Sequence, residues 1–508
     1  MSLALASPLA DFAPSMGLMN STILSPLVHF TPPVGFMNDP NGLVKVQDTY
    51  HLYYQHNPNG TVWGPPEWGH ATSRDLIQWT DHGTAIARVS ENEGVFSGCA
   101  VVDVNDTSKL FSGTKVPPEE RIVAIFTSNW PDNQVQSIAY SLDGGNTFKR
   151  YAHNPVLDIN STQFRDPKVF YHEESGKWIM SVARTQKYEV AFYGSSNLID
   201  WQELSTFSGG FTGYQYEMPD LVHVPVSGSN EKKWVLMLSI NPGSPIGGSM
   251  VQYFIGDFDG KKFTPQDNFA RIADTGKDWY ASQTWSNTGD EVLCIAWGSN
   301  WQYTNQLPQG PWKSIMSLPR RLSLTKVPYN PEYQGYVLTQ QPVDVSAYRR
   351  NKASGNITDS AAVELQRTSQ NGIFEFTIDV ANGTVPADSS LSIVGSSQQG
   401  HNITMGLLAT DSGAHVYVDR TQNEFLYPLF TEKLSTFVPL NSAGHLKVHG
   451  IVDRGSVELY FNDGQEVFTN SYILPEGVSL SKLAISTKGY KAKATIYELV
   501  VKANDSGK

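Results

Sequence analysis

The sequence predicts an all-β protein in which a β-propeller is followed by a C-terminal β-sandwich. Short apolar runs such as YHLYYQH, KWIMSVA and EVLCIAW recur from the N-terminal region to about residue 330, each bounded by Gly, Pro, Asn or Asp. Amphipathic helical runs longer than about ten residues are hard to find, whereas strand-like runs are frequent. The composition agrees, because 42 glycines, 29 prolines, 11% aromatic residues and only 17% charged residues are typical of a strand-rich, turn-rich globular protein.

A recurring turn phrase predicts the propeller. In each phrase a polar residue and an Asx start a hairpin turn, and an aromatic residue a few positions later can return to the sheet. The phrases begin at Ser73, Ser141, Ser195 and Asp257. They are therefore separated by roughly 60 residues, and a unit of this length repeated four or five times is typical of propeller blades with long loops. Four unrelated hairpins in a β-sandwich are the alternative at this point.

The composition of the sequence changes after about residue 335. Residues 341–370 are polar, and strands then resume in runs such as GIFEFTIDV, HLKVHGIVD and SVELYFNDG. Several of these runs alternate with period two, as expected for the two half-buried sheets of a sandwich. We therefore predict an N-terminal tail (1–25), a catalytic propeller (26–335), a linker (336–370) and a β-sandwich domain (371–504).

Three acidic residues share the period of the blades. Asp39 lies in GFMNDPNGLV, Asp166 follows it in FRDPKV after about two blade periods, and Glu217 follows in YQYEMPDL after about one more. The residues Asp-Pro-Asn-Gly around Asp39 are those that favour a tight turn. This motif alone therefore indicates only a turn. In a propeller, however, equivalent positions on the innermost strands lie beside the central axis. The three carboxylates are therefore expected to converge on one funnel.

Converging carboxylates predict acid–base chemistry on a sugar. Like charges at one site raise the pKa of at least one of them, and glycoside hydrolysis needs one ionised and one protonated carboxyl group. The neighbouring side chains suit a sugar as well. Aromatic faces are offered by Trp63, Trp68, Phe96, Tyr216 and Trp301, and hydrogen bonds to hydroxyl groups by Asn38, Gln55, Ser97 and Arg165.

Other classes of function find little support. A net charge of -12 without a basic stripe argues against a nucleic acid partner. No apolar run approaches the roughly 18 residues of a membrane span, which predicts a soluble protein. Cys99 and Cys294 lie in apolar runs and indicate neither a disulfide framework nor a Cys-based metal site. We interpret four histidines scattered among the strands as structural, namely His29, His51, His56 and His70.

An ordered set of motifs resembles one family. The set comprises HFTPPVGFMNDPNG, YYQHNPNGTVWG, WGHATSRDLIQW, FSG, QFRDPKV, YEMPDL and GSNWQY. In this order it resembles the invertases (β-fructofuranosidases) of glycoside hydrolase family 32, in particular those of yeasts and fungi, from about residue 26 to about residue 462. The resemblance implies a five-bladed propeller with a β-sandwich, and no metal or cofactor. It also implies retaining hydrolysis of terminal, non-reducing β-D-fructofuranosyl units, sucrose first, through a covalent fructosyl-enzyme.

The resemblance assigns roles to individual residues. Asp39 resembles the nucleophile, Glu217 the acid/base, and Asp166 the carboxylate that holds fructose hydroxyls and stabilises the transition state. The positions that resemble the fructose pocket are Asn38, Gln55, Trp63, Phe96, Ser97 and Arg165. Those that resemble contacts to the next sugar outward are Gln215, Asn241 and Trp301.

Two positions depart from the family pattern. Phe36 stands where the family often has Trp before Met-Asn-Asp-Pro-Asn, which reduces one wall of the pocket. Met218 stands where most members have Cys after the acid/base Glu217. A thioether is bulkier than a thiol and cannot ionise, so we expect the proton affinity of the acid/base and the tendency to transfer to differ.

Three alternatives remain open. A fructosyltransferase would pass the same intermediate to a sugar hydroxyl and make fructo-oligosaccharides from sucrose. An inactive, sugar-binding propeller would keep the fold without the chemistry. A sialidase-like propeller is suggested by SLDGGNTF, but the arginines that would clamp a carboxylate are not found.

Partners and compartment are only loosely bounded by the sequence. We expect sucrose and short fructo-oligosaccharides as ligands and leave a homodimer open, with the sandwich as a dimer contact or a carbohydrate-binding module. The N-terminus lacks the basic region of a signal peptide, since its first Lys is Lys45, which favours an intracellular protein or a mature chain without its signal. Eight N-x-[ST] sequons keep secretion with N-glycosylation as the alternative.

Overall fold

The protein is built almost entirely of β-sheets. The computed structural model describes residues 24–308, 310–328, 334–380, 389–410, 412–423, 425–440, 445–489, 491–502 and 505–506. Five sheets form the blades of a propeller, and two six-stranded sheets form a sandwich. The predicted fold class is therefore confirmed, whereas the predicted tail (1–25) lies outside the described residues except for its last two positions.

Each blade is an antiparallel sheet whose strands follow one another in the chain. Blade 1 consists of β1 (Gly35–Val46), β2 (Thr49–Asn57), β3 (Glu67–Ser73) and β4 (Thr80–Ile86). Blade 2 consists of β5 (Gly94–Val102), β6 (Ile122–Asn129), β7 (Gln134–Tyr140) and β8 (Lys149–Arg150). Blade 3 consists of β9 (Phe164–His172), β10 (Lys177–Arg184), β11 (Glu189–Ser195) and β12 (Gln202–Phe207).

The last two blades are less regular. Blade 4 consists of β13 (Tyr216–Pro225), β14 (Lys232–Ile240), β15 (Met250–Phe258), β16 (Phe263–Pro265) and β17 (Arg271–Ile272). Blade 5 begins with β18 (Tyr280–Thr284) and β19 (Leu293–Trp297), leaves the sheet for β20 (Trp312–Lys313), and is completed by β21 (Arg320–Pro328) and β22 (Gln334–Pro342). Because β20 pairs in parallel with the start of β1, it closes the ring of blades between blade 5 and blade 1.

The sandwich follows the propeller directly. Its strands are β23 (Arg349–Ile357), β24 (Val363–Gln366), β25 (Ile373–Val380), β26 (Ser390–Ser397), β27 (Asn402–Ala409), β28 (Gly413–Asp419), β29 (Lys433–Pro439), β30 (Leu446–Asp453), β31 (Ser456–Phe461), β32 (Glu466–Ser471), β33 (Leu480–Lys488) and β34 (Ala492–Leu499). One sheet has the order β23-β34-β25-β30-β31-β32 and the other β24-β33-β26-β27-β28-β29. Alternating apolar residues of both sheets form the core between them.

The segment 336–370, predicted as a linker, carries three strands. β22 runs to Pro342, β23 is the edge strand of one sandwich sheet, and β24 is the edge strand of the other. Most side chains of β23 are exposed or half-buried. An edge strand with solvent on one side tolerates the polar composition that suggested a linker, which is the physical reason for the difference.

A few short elements complete the described part of the chain. They are 3₁₀ turns at Pro118–Glu120, Thr185–Lys187, Thr304–Gln306, Ser346–Tyr348 and Asn462–Gly464, and β35 (Asp505–Ser506), which pairs with β4. None of the helices within the described ranges has the length and apolar character needed to cross a bilayer. Cys99 and Cys294 are both buried as free thiols.

Candidate active site

The first strand of every blade carries a β-bulge, and the five bulges surround the propeller axis. Two residues face one residue of the neighbouring strand between Met37 and Pro40 in β1, Val95 and Gly98 in β5, Arg165 and Lys168 in β9, Glu217 and Asp220 in β13, and Tyr280 and Gln283 in β18. A bulge bends the strand and redirects the side chains beside it. Each blade thereby presents one polar group at its bulge, namely Asp39, Ser97, Asp166, Glu217 and Tyr280.

The stretch GFMNDPNGLV is not a turn between two strands. It lies inside the continuous strand β1, whose register against β2 shifts twice, between Met37 and Pro40 and between Asn41 and Val44. Gly42 in the second irregularity has φ of 55°, a left-handed conformation that glycine adopts without steric cost. The turn-forming residues of this motif therefore serve a bulged strand that projects Asp39.

Asp39 accepts hydrogen bonds on both carboxylate oxygens. The Ser97 hydroxyl donates to Oδ2 at 2.7 Å, and the Asn38 side-chain amide donates to Oδ1 at 3.1 Å. Burial, with the nearby charge of Glu217, raises the pKa of Asp39 to about 6, while the two hydrogen bonds oppose the increase. Asp39 is thus a fixed carboxylate that is ionised above about this pH and accessible from the funnel, since it is only half-buried.

Glu217 is held from two sides. The Arg165 guanidinium donates to Oε1 through Nη2 at 2.9 Å and through Nε at 3.2 Å. The Tyr280 hydroxyl donates to Oε2. Burial and the surrounding acids raise the pKa of Tyr280 well above its ordinary value, so this phenol keeps its proton and remains a donor.

Asp166 is the most buried of the three acids. Its backbone has φ of 65°, a left-handed conformation that Asp tolerates better than most residues. The Met218 backbone N–H donates to its Oδ2 at 3.1 Å, and its own N–H donates to the Thr127 hydroxyl at 3.1 Å. Burial raises the pKa of Asp166, the Arg165 charge lowers it, and Glu217 and Asp39 raise it further, with a net increase. Burial and the two other acids therefore favour the protonated form of Asp166 more than in an exposed aspartate.

The remaining residues predicted for the fructose pocket lie around this cluster. Gln55 stands on β2 opposite the first bulge, and its side-chain amide donates to the Val95 carbonyl at 2.9 Å, which ties blade 1 to blade 2. The rings of Trp63 and Phe96 meet edge to face with centres 6.5 Å apart. Trp63 is 48% exposed, so this pair stands at the rim rather than in the core.

Three residues were predicted to contact a second sugar. The Asn241 backbone N–H donates to the Gln215 carbonyl at 3.4 Å, which places both residues at the end of blade 4 where Glu217 lies. Trp301 is half-buried, and its ring centre is 6.2 Å from Phe36 and 4.7 Å from Trp297. Because Phe36 lies at the start of β1, just ahead of Asp39, this aromatic group borders the same funnel.

Two aromatic residues predicted as sugar faces lie in the core instead. Trp68 packs between blades 1 and 2, and its indole N–H donates to the Phe96 carbonyl at 3.0 Å. Tyr216 packs between blades 3 and 4, and its hydroxyl donates to the Gly209 carbonyl at 2.6 Å. Both are buried because their strands turn these side chains toward the neighbouring blade. They pack between the blades that carry the site residues and are not themselves available to a sugar.

The four histidines interpreted as structural have internal partners. His51 and His70 stack with ring centres 5.2 Å apart, His56 pairs with the Val34 carbonyl at 2.9 Å, and His29 binds two carboxylates of the sandwich. In the described part of the chain, no group of three or more His, Cys, Asp or Glu side chains is arranged to hold a metal ion.

Sequence reasoning did not identify Tyr280 as part of the site. It follows Glu217 by 63 positions, one further blade period, so the spacing that located the acids would also have located it. Its sequence context gives no further signal, because a tyrosine inside the apolar run DWYASQTW carries no sign of chemistry. Ser97 is also separated from its neighbour in the site by about one blade period, since it comes 58 positions after Asp39.

Comparison with known proteins agrees with this architecture. Residues 29–342 match the glycosyl hydrolases family 32 N-terminal domain, and residues 344–502 match the C-terminal domain of the same family. An invertase of Debaryomyces hansenii is 43% identical over 82% of this chain and 81% of its own length. An extracellular exo-inulinase of Meyerozyma guilliermondii is 44% identical over 84% of this chain and 85% of its own length. The solved fructofuranosidase of Schwanniomyces occidentalis complexed with fructose superposes with a TM-score of 0.89 at 43% identity, covering 93% of this chain and 98% of that one.

Proposed function

The chain belongs to glycoside hydrolase family 32, and from this premise we propose that it is a β-fructofuranosidase that cleaves sucrose into glucose and fructose. The proposal extends to terminal, non-reducing β-D-fructofuranosyl units of short fructo-oligosaccharides, because both an invertase and an exo-inulinase are among its relatives. The observation that carries it is the convergence of three carboxylates and one guanidinium at the bulges of blades 1, 3 and 4. Retaining glycoside hydrolysis uses two carboxyl groups, one as nucleophile and one as acid/base, and we assign these roles to Asp39 and Glu217.

In the first step, Asp39 attacks the anomeric carbon of the fructosyl unit. The bond from that carbon to the glycosidic oxygen breaks as the new ester bond forms, and Glu217 gives its proton to the departing oxygen, which leaves as the hydroxyl of glucose. Ser97 and Asn38 hold Asp39 in position for this attack. A fixed nucleophile raises the rate because its orientation no longer has to be found in the transition state.

In the second step, water replaces Asp39 at the anomeric carbon. Glu217, now ionised and bound to Arg165, takes a proton from the water as the oxygen attacks, and Asp39 leaves as a carboxylate. Two displacements at the same carbon restore the original configuration. Asp166 interacts electrostatically with Arg165, Glu217 and Asp39. It is proposed to accept hydrogen bonds from fructose hydroxyls as positive charge develops on the ring.

Product analysis from concentrated sucrose tests the proposal. Equal amounts of glucose and fructose indicate hydrolysis, whereas excess glucose with trisaccharides indicates a fructosyltransferase. No cleavage by a folded protein would support the inactive, sugar-binding alternative. Proton NMR during the first minutes should show β-fructofuranose as the initial product, because inversion would give the α anomer.

The homodimer and the compartment stay predictions. Light scattering of the purified protein tests the first. Detection of the protein in culture medium or in cells, with and without removal of N-glycans, tests the second.

A further inference from the structure

The two oxygens of the Glu217 carboxyl group stand in different surroundings. Oε1 faces a cation and accepts two N–H groups of Arg165, at 2.9 and 3.2 Å. Oε2 faces a neutral phenol and accepts the hydroxyl of Tyr280. A proton on Oε1 would point at the guanidinium that already occupies this oxygen, so the acidic proton belongs on Oε2.

The hydroxyl of Tyr280 also restricts where that proton can point. A carboxyl oxygen offers two lone-pair directions in its plane, and Tyr280 occupies one of those on Oε2. The acidic hydrogen is left with the other direction. Tyr280 does not compete for the proton, because burial and the nearby acids keep its own pKa well above the ordinary value.

The ring of Tyr280 is fixed independently of Glu217. It is 1% exposed and packs in a small apolar cluster with Phe36, Met218, Ala281 and Trp297. Its backbone is paired with Trp297 immediately before the bulge of β18. A hydroxyl held by such a ring returns to the same place in every catalytic cycle, which a water molecule at this position would not do.

We propose that Tyr280 is a positioning residue that directs the acidic proton of Glu217, carried on Oε2, toward the glycosidic oxygen of the substrate. This inference rests on the proposed function and deepens it. In the first step the Oε2–H bond breaks and the departing oxygen gains the hydrogen, while Tyr280 keeps its own proton. Its hydroxyl then donates to the newly ionised Oε2, and Arg165 continues to bind Oε1.

Dependence on the leaving group separates this role from a structural one. Sucrose releases a basic sugar alkoxide that needs the proton, whereas p-nitrophenyl β-D-fructofuranoside releases a weakly basic phenolate that does not. We expect Tyr280→Phe to lower kcat/KM on sucrose about 10- to 100-fold, mainly through kcat, and on the aryl fructoside less than about 3-fold. The substitution keeps the ring and therefore the packing of the cluster.

The pH profile supplies a second readout. The charged and titratable groups that face Glu217 are Asp39 from β1, Arg165 and Asp166 from β9, and Tyr280 from β18. A donor to Oε2 favours the ionised carboxylate, so its removal should move the alkaline limb of kcat/KM on sucrose upward, by at most about one pH unit.

Tyr54→Phe is the matched control. It also removes a buried tyrosine hydroxyl from a carboxylate, that of Asp81 at 2.5 Å, but leaves Glu217 untouched. We expect it to change kcat/KM less than about 2-fold on both substrates. Equal losses on both substrates in Tyr280→Phe, or no loss on sucrose, would overturn the inference. If the wild-type protein cleaved neither sucrose nor the aryl fructoside, the proposed function itself would be overturned.

Discussion

Buried carboxylates at the propeller axis and at the interface between propeller and sandwich stand in opposite surroundings. At the propeller axis, Asp39, Asp166 and Glu217 share one guanidinium, and the pKa values of both aspartates are raised. At the interface between propeller and sandwich, the buried acids Asp274, Asp453 and Glu458 are paired with the buried cations Arg320 and His29. There Arg320 and His29 hold the pKa of Glu458 at about 2, against the effect of burial.

The interface is a network that joins segments far apart in the chain. Arg320, 0% exposed, binds Asp274 of the propeller at 2.9 Å and Glu458 of the sandwich at 2.9 Å. His29 binds Glu458 at 3.1 Å and Asp453 at 2.9 Å. The same oxygen of Asp453 accepts backbone N–H groups of the segment that enters the propeller. The carboxylates on both sides of the interface are therefore paired with cations and N–H groups.

The difference shows how one kind of residue serves either stability or chemistry. A buried carboxylate with a full set of partners is ionised and inert, and removal of one of those partners destabilises the folded protein. A buried carboxylate without enough partners destabilises the protein, and the same imbalance gives it a proton affinity useful near neutral pH. We therefore expect substitutions in the two clusters to have opposite effects on stability and on activity.

The largest effect is expected from Asp39→Asn. The amide keeps the size of the side chain but cannot form the covalent intermediate, so kcat/KM on sucrose should fall by about four orders of magnitude or more. The substitution also removes a carboxyl group whose pKa is raised in the folded protein. It should therefore increase the free energy of unfolding at pH 7 by about 1–2 kcal/mol. Initial rates and urea unfolding measure the two effects.

The pH dependence checks this assignment. An acid whose folded pKa is raised to about 6 destabilises the protein only where it is ionised, so the advantage of Asp39→Asn should be full above pH 6 and disappear toward pH 4. An advantage that persists at pH 4 would show that relief of charge is not its cause. Wild-type turnover by the folded variant would refute Asp39 as the nucleophile.

Arg320→Met should produce the opposite pattern. It leaves the carboxylates of Asp274 and Glu458 buried without their cation, which should lower the free energy of unfolding by about 3–5 kcal/mol. At temperatures where the variant is folded, kcat/KM on sucrose should stay within about 2-fold of wild type. Urea unfolding and initial rates on the same preparation test this.

The neighbouring arginine provides the control. Arg321 pairs with Glu291 at 2.9 Å, and both side chains are about half exposed. Arg321→Met should change the free energy of unfolding by less than about 0.5 kcal/mol. If the two variants lost the same stability, the buried network would have no special role.

The sequence predicted the site better than the interface, for a physical reason. Asp39, Asp166 and Glu217 occupy equivalent places in repeated units, so their spacing carries information about convergence. His29 and Glu458 are separated by 429 residues and belong to no repeat, so no pattern along the chain brings them together. The partners of a buried charge across two domains are set by how the domains dock.

Polar composition was the other reason why the prediction from sequence and the structure differ. The segment RRNKASGNI was predicted within a linker and forms the edge strand β23, which pairs with β34 on one side and faces solvent on the other. Similarly, Asp-Pro-Asn-Gly was predicted as a turn and lies within β1. Residues that favour turns also favour bulges and edges, and only strand pairing distinguishes these settings.

His29 should make the interface sensitive to alkaline pH. Asp453 and Glu458 outweigh burial and raise its pKa to about 9, from an ordinary value near 6.5. The stabilisation that it contributes is therefore full below about pH 6.5 and is lost as the pH rises through 9. We expect wild type to lose about 2–3 kcal/mol more than His29→Gln between pH 6 and pH 9.5.

Urea unfolding at the two pH values measures this difference. The exposed residue His415 provides the control, since His415→Gln should show the same pH dependence as wild type. Equal alkaline losses in wild type and His29→Gln would mean that His29 is neutral in the folded protein and that its contacts act only as hydrogen bonds.

The smallest effect is expected at Met218, which connects the catalytic carboxylates to apolar packing. Its backbone N–H binds Asp166 whatever the side chain, and its side chain, 4% exposed, packs beside Tyr280. Met218→Cys should lower the free energy of unfolding by about 1–2 kcal/mol through the space it leaves. Because the phenol then has room to move, kcat/KM on sucrose should fall about 2- to 5-fold, with a smaller change on the aryl fructoside. Met180→Cys, in the apolar cluster between blades 2 and 3, should cost similar stability without this loss of activity. A shift of the alkaline limb in Met218→Cys with unchanged leaving-group dependence would instead mean that the thioether acts on Glu217 directly and not through Tyr280.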